Sequence, residues 1–166
     1  SIESAKSIVK AFRSPLNINR FEVIATYIDR KGKWWGQSIA EKVLAKDDGL
    51  EDFKVLENIS KQGFSGLPKG TENIEVWFPV LHGPNGEDGT IQGLFKLTQK
   101  PFIGSGVLGS ALGMDKLAMK TTFSAAGLPQ AAYCSAESAC LKEKSYLNLL
   151  LNKIESELGY PCFIKP

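Results

Sequence analysis

The apolar run at residues 74–81 (IEVWFPVL) passes straight into His82-Gly83-Pro84-Asn85-Gly86-Glu87-Asp88-Gly89-Thr90-Ile91-Gln92-Gly93, and this join constrains the fold more than any other feature. A nearly continuous apolar run of this length reads as a buried central strand. Pro79 belongs near its end, because proline cannot donate to a sheet ladder. The Gly-rich loop then turns sharply and feeds a short helix marked by Ile91, Leu94, Phe95 and Thr98. Pro101-Phe102-Ile103-Gly104 follows as another short strand. Strand, helix and strand in that order predict a parallel α/β sheet with right-handed crossovers.

Ligands of open α/β sheets bind outside the carboxyl ends of the strands, and helix N-termini favour anions. His82 stands at the edge of such a crevice. Two roles remain open for it: a structural histidine that caps the strand, or a donor of a hydrogen bond or positive charge to a carboxylate. For Glu87 and Asp88 the plain reading is an acidic pair at a helix start, complementing the helix dipole.

Elsewhere, Ile2, Ala5, Ile8, Val9 and Phe12 recur at helical spacing and predict an opening amphipathic helix. Phe21 to Ile28 reads as a buried strand, with a turn at Asp29-Arg30-Lys31-Gly32 and a hairpin partner in Lys33-Trp34-Trp35. The stretch from 36 to about 73 is the least informative, punctuated by turn clusters at 46–49 and 65–70. From Ser105 the pattern turns helical, through Met114-Asp115-Lys116 and on to a stop at Gly127-Leu128-Pro129. Residues 130–134 suit a short strand. Leu147, Leu150, Leu151, Ile154 and Leu158 share one face of a further helix, and Cys162 to Pro166 begins a strand. A second domain is expected to start near residue 114, giving units of 1–113 and 114–166.

Composition removes several classes. With 43% hydrophobic and 23% charged residues the chain can build a core, so disorder throughout is excluded. The 20 basic and 18 acidic residues are interspersed, and no basic stripe points to nucleic acid or an anionic membrane. No apolar run approaches the ~20 residues that span a bilayer, and the opening segment is too broken by charge for a signal peptide. Cys134, Cys140 and Cys162 lack metal or redox spacing and fit free thiols of a reducing cytoplasm. Gly104-Ser105-Gly106-Val107-Leu108-Gly109 imitates a dinucleotide loop, but no acidic residue stands at 121–127, where the ribose would need one. These glycines are read as close packing and an interdomain bend.

The pattern H-G-x-x-G-E-D-G-x-I-Q-G at residues 82–93 resembles the N-terminal signature of D-alanine–D-alanine ligases, with every fixed position present. The likeness continues through PFIGSGVLGSALGMDKLAMK, AAGLP and YPCFIKP, and takes in the opening SIESAKSIVKAF. It implies a Rossmann-like (pre-ATP-grasp) N-terminal domain lacking its first strand, followed by the beginning of an ATP-grasp domain. The family's opening strand, with its Gly-rich turn and Glu-x-Glu-Val stretch, is expected ahead of Ser1. Without it, residues 22–28 and 74–81 should stand roughly 10 Å apart, twice the usual strand spacing, with no ladder between them.

The same resemblance implies chemistry. The residue matching His82 helps hold the first D-alanine and the charge developing around it, while Lys116 and Lys165 match lysines that contact ATP phosphates. Taken alone, each lysine is a solvated surface charge. The implied reaction phosphorylates the carboxylate of one D-alanine with ATP; the amine of a second D-alanine then attacks the acyl phosphate. Lysines and Mg2+ would stabilise the transferring phosphoryl group, with the Mg2+ ligands expected outside this segment. The segment alone is therefore expected to be inactive, and its parent to be a cytoplasmic homodimer. A D-alanine–D-lactate ligase, a non-catalytic ATP-grasp-like module and a purely structural fragment are the alternatives.

Overall fold

The computed structural model describes residues 1–45 and 63–165. The chain divides into two compact units, Ser1–Ser110 and Ala111–Pro166, where the sequence reading set a boundary at 113/114.

In the first unit, helix α1 (Ile2–Phe12) forms where the spacing predicts it, and its apolar positions Ile2, Ala5, Ile8, Val9 and Phe12 are half-buried. Phe12 meets Phe21 and Phe78 edge-on, with centroids at 5.1 and 5.6 Å. The predicted hairpin is present. Strands β1 (Tyr27–Ile28) and β2 (Trp34–Trp35) pair antiparallel, Tyr27 opposite Trp35 and Ile28 opposite Trp34. Asp29 builds the turn. Its buried carboxylate accepts from the backbone amides of Lys31 and Lys33 at 2.9 and 3.0 Å, and from the Trp35 indole N–H at 2.9 Å. The strand expected over 21–28 contracts to its last two residues and is half-buried rather than buried. The reason is local: β2 ends at Trp35 because helix α2 (Gln37–Ala45) begins two residues later, so β1 has no longer partner. Helix α2 went unread in the sequence, although Ala40 and Val43, both buried, sit three apart on one face. The turn cluster at 46–49 lies outside the described residues.

Residues 74–81 are not the buried central strand their composition suggests. Only Trp77 is buried there, while Val76 and Phe78 are 48% and 45% exposed. Trp77 forms one parallel bridge with Phe102, its N–H donating to Pro101 O and its carbonyl accepting from Ile103 N, each at 2.9 Å. Pro101 has no N–H to extend the ladder. Helix α3 (Thr90–Leu97) lies between the bridged segments, so the strand–helix–strand order is present in reduced form. Among the described residues no strand pairing joins 22–28 to 74–81.

The core is the cluster Trp34, Trp77, Ile91 and Phe95, flanked by Ile28, Leu67, Leu81 and Phe102. Trp77 stacks on Phe95 at 4.8 Å and 16°, and Trp34 meets Trp77 edge-on at 6.1 Å and 87°. Such a cluster suits the site because each buried side chain contributes about 1.5–3 kcal/mol and together they fix α3 against residue 77. The Trp77 indole donates to Thr98 Oγ1 at 3.2 Å, so its polar edge is also satisfied.

Helix α4 (Val107–Met114) contains the division between units. The close-packing reading of the 104–109 glycines does not hold: a Cβ at Gly106 would meet nothing within 4 Å. In the second unit, helix α5 (Lys116–Ala125) is capped by Asp115, which accepts from Leu117 N and Ala118 N at 2.9 Å each. It ends as predicted, with Gly127 N donating to Ser124 O and Leu128 N to Phe123 O. The strand expected at 130–134 does not form. Gln130 instead ties back to α5, its amide donating to Lys120 O at 2.8 Å and Ser124 Oγ at 2.9 Å. Helix α6 (Lys144–Glu157) is also present, with Leu150 and Ile154 half-buried but Leu147 and Leu151 exposed. Residues 162–165 carry no strand, and Phe163 and Ile164 are 97% and 93% exposed. No helix among the described residues is long and apolar enough to cross a membrane.

Candidate functional site

The loop after residue 81 is wound on itself. Gly86 N and Glu87 N both donate to Gly83 O, at 3.1 and 3.0 Å, and Gly83 N donates to the Glu87 carboxylate at 2.6 Å. Asp88 accepts from Asn85 N at 2.8 Å and Thr90 N at 3.0 Å. The amides of Asn85 and Thr90 hold the Asp88 carboxyl below its ordinary range. Asp88 thus reaches the first residue of α3, as the plain reading of the pair has it, whereas Glu87 is bonded within the loop to Gly83 N.

Gln92 completes the loop from inside. It is 7% exposed, its Nε2 donates to Gly86 O at 2.9 Å, and its Oε1 accepts from Gly89 N at 3.1 Å. The second bond is half of a capping box, in which the residue at the third helical position reaches back to the N-cap amide. Gly86 is needed for a different reason. A Cβ there would lie 2.7 Å from Leu81 Cβ and 3.3 Å from His82 N, so only glycine lets the loop rest on the end of the 74–81 segment. The sequence reading assigned the loop glycines a turning role but Gln92 none, although the Gly89-x-x-Gln92 spacing was the available signal.

His82 itself is exposed, and its imidazole makes no hydrogen bond or ion pair with a described residue. The His82 ring is thus exposed and unengaged, beside a loop whose acidic side chains are already bonded to backbone amides. Lys116 opens α5, exposed, with its Nζ donating to Gly113 O at 3.1 Å. Lys165 is exposed in the stretch after Ile164. The histidine belongs to the first unit and both lysines to the second.

A hollow of about 550 Å³ between α1 and α2 presents Lys6, Lys10 and Arg13, but none of its lining residues belongs to the 82–93 loop. Arg13 is engaged there by a two-pronged ion pair with Glu41. Among the described residues no group of three or more His, Cys, Asp or Glu could hold a metal ion. Cys134 donates to the Glu157 carboxylate at 3.6 Å, and partial burial together with that neighbour raises its thiol pKa.

Comparison with known proteins places this arrangement. Residues 1–105 match the family described as D-ala D-ala ligase N-terminus, and the chain belongs to that family. Over all 166 residues it is 60% identical to a D-alanine–D-alanine ligase of Prochlorococcus marinus, covering 47% of that protein. A D-alanine–D-alanine ligase of a Synechococcus species is 51% identical over the same 166 residues, with 47% of it covered. The chain spans about half the length of the curated relatives it matches. Among solved structures, the D-alanine–D-alanine ligase of Coxiella burnetii superposes with a TM-score of 0.66 at 28% identity, over 91% of this chain and 44% of that one. The VanG D-Ala:D-Ser ligase of Enterococcus faecalis gives 0.64 at 28% identity, over 100% of this chain and 47% of its own. These likenesses agree with the α/β class read from the sequence.

Proposed function

We propose that this chain is the N-terminal part of an ATP-dependent, ADP-forming D-alanine–D-alanine ligase that makes a peptidoglycan precursor in the cytoplasm. The observation that carries the reading is 60% identity, across the whole chain, to a protein of that name. The self-bonded loop at 82–93 supports it, because it leaves the His82 ring free for a substrate. Residues 1–113 are read as the Rossmann-like, pre-ATP-grasp domain, and 114–166 as the start of the ATP-grasp domain. The parent is read as a homodimer.

In this reading His82 donates to the first D-alanine and to the charge that develops as its carboxylate is phosphorylated. Lys116 and Lys165 supply compact positive charge to the ATP phosphates. The γ-phosphoryl group passes to a carboxylate oxygen of D-alanine, releasing ADP. The amine of a second D-alanine then adds to the acyl carbon, and the C–O bond to phosphate breaks. Phosphorylation is what makes this possible, since an unmodified carboxylate has no leaving group. Mg2+ would add further positive charge at the transferring phosphoryl group, and its ligands are read as lying in the remainder of the ligase.

The VanG likeness favours a second reading, in which the second substrate is D-serine. The two solved ligases superpose almost equally well, at TM-scores of 0.66 and 0.64, so the shape of this segment does not separate them. Identities of 50–60% to proteins named for D-alanine favour the first reading.

Single substitutions in the full-length protein test the assignment. His82→Ala should lower turnover with D-alanine more than it weakens ATP binding, and Lys165→Ala should raise the apparent constant for ATP. Equal effects of both on ATP, with turnover intact, would refute the roles.

A further inference from the structure

Resting on the reading of His82 as the D-alanine-binding group, we infer that Gln92 is a positioning residue that sets His82 through the carbonyl of Gly86. The loop is held by several side chains, but they differ in their surroundings. The bonds of Glu87 and Asp88 to the loop amides are exposed, whereas both bonds of Gln92 are buried. Water competes for the exposed bonds and not for the buried ones, so the buried pair governs where the loop sits.

The link to His82 is short. Gln92 Nε2 grips Gly86 O at 2.9 Å, and Gly86 rests against Leu81 and the His82 backbone so closely that a single added carbon would fall 3.3 Å from His82 N. A carboxamide is what this position requires, because it must donate to Gly86 and accept from Gly89 at once. Leucine fills the space and does neither. Glutamate keeps the acceptor but turns a second oxygen toward the Gly86 carbonyl.

The test is steady-state kinetics of the full-length protein. Gln92→Leu should lower kcat/KM for D-alanine about 10- to 100-fold, as expected for a displaced substrate group. The apparent constant for ATP should stay within about twofold. Thr98→Val is the control. It removes the Trp77 indole bond at the other end of α3 and loosens the unit without touching the loop, so it should shift the melting temperature and leave the D-alanine constants in place. If Gln92→Leu does not fold, Gly86→Ala, which keeps the carbonyl but presses a Cβ against Leu81 and the His82 backbone, displaces the next link of the same chain and should give the same selective loss. Folded variants at both positions that keep wild-type D-alanine kinetics would overturn the inference while leaving the role of His82 standing. So would parallel losses for D-alanine and ATP. If His82→Ala itself leaves D-alanine kinetics unchanged, both the role of His82 and the positioning role of Gln92 fall.

Discussion

The side-chain amide of Gln92 bonds at one end to Gly86 and at the other to Gly89, at 2.9 and 3.1 Å, so a residue of helix α3 shapes the loop that precedes it. The helix is in turn seated by Ile91 and Phe95 on the Trp34–Trp77 cluster. Core packing, helix position and loop conformation are therefore successive links of one chain, and His82 is placed at its end.

The buried carboxylate of Asp29 is the corresponding device in the hairpin. Asp29→Ala removes the acceptor for two backbone amides and the Trp35 indole, and should destabilise the full-length protein by about 2–3 kcal/mol. Asp29→Asn, which keeps an acceptor oxygen, should cost less. Urea denaturation followed by tryptophan fluorescence checks both. Equal stability of Asp29→Ala and wild type would show that the turn holds without the carboxylate.

Phe95 and Leu97 give a contrast within one helix. Phe95 is 3% exposed and stacked on Trp77, so Phe95→Ala should cost about 3–5 kcal/mol. Leu97 is 82% exposed, and Leu97→Ala should change stability by no more than about 0.5 kcal/mol. The difference between the two denaturation midpoints is the measurement.

Which parts of this were legible in the sequence follows from how local the determinants are. Helix α1, the Asp29 turn and the Gly127 stop depend on neighbours within a few residues, and each stands where the pattern put it. Strands depend on a distant partner. The runs at 21–28, 74–81 and 130–134 carry strand composition, yet form ladders only where a partner reaches them, at Tyr27–Ile28 and Trp77. The loop motif was legible as a string. Its division of labour was not, because the spacing cannot tell that Glu87 and Asp88 are occupied and the His82 ring is not.

Acid should loosen the fold through two carboxyls. Hydrogen bonds from Arg13 lower the pKa of Glu41, and the amides of Asn85 and Thr90 lower that of Asp88. Each carboxyl then binds its proton less readily in the folded state than in the unfolded state. Its contribution is complete above the ordinary carboxylate range near pH ~4 and is lost as the pH falls through the lowered folded value. Glu41→Gln and Asp88→Asn should each flatten the dependence of stability on pH below about 5. At neutral pH, Glu41→Gln should cost about 0.2–1 kcal/mol, as for an exposed pair. Unaltered acid unfolding curves for both variants would contradict this account.

Partial burial and the neighbouring Glu157 raise the pKa of Cys134, so at pH ~8 less of it is reactive thiolate than of an ordinary cysteine. Glu157→Gln should speed alkylation of Cys134, read as the rate of mass gain on the peptide that contains it. A slower rate would mean that the carboxylate does not favour the thiol.

The central claim is tested most directly by giving the full-length protein ATP and D-alanine, then measuring ADP and identifying the product by mass spectrometry. The account predicts ADP formation that depends on D-alanine, with one D-alanyl-D-alanine for each ADP, while residues 1–166 alone produce none. ADP formation indifferent to D-alanine, or a mixed dipeptide dominating when D-serine is supplied at equal concentration, would contradict it.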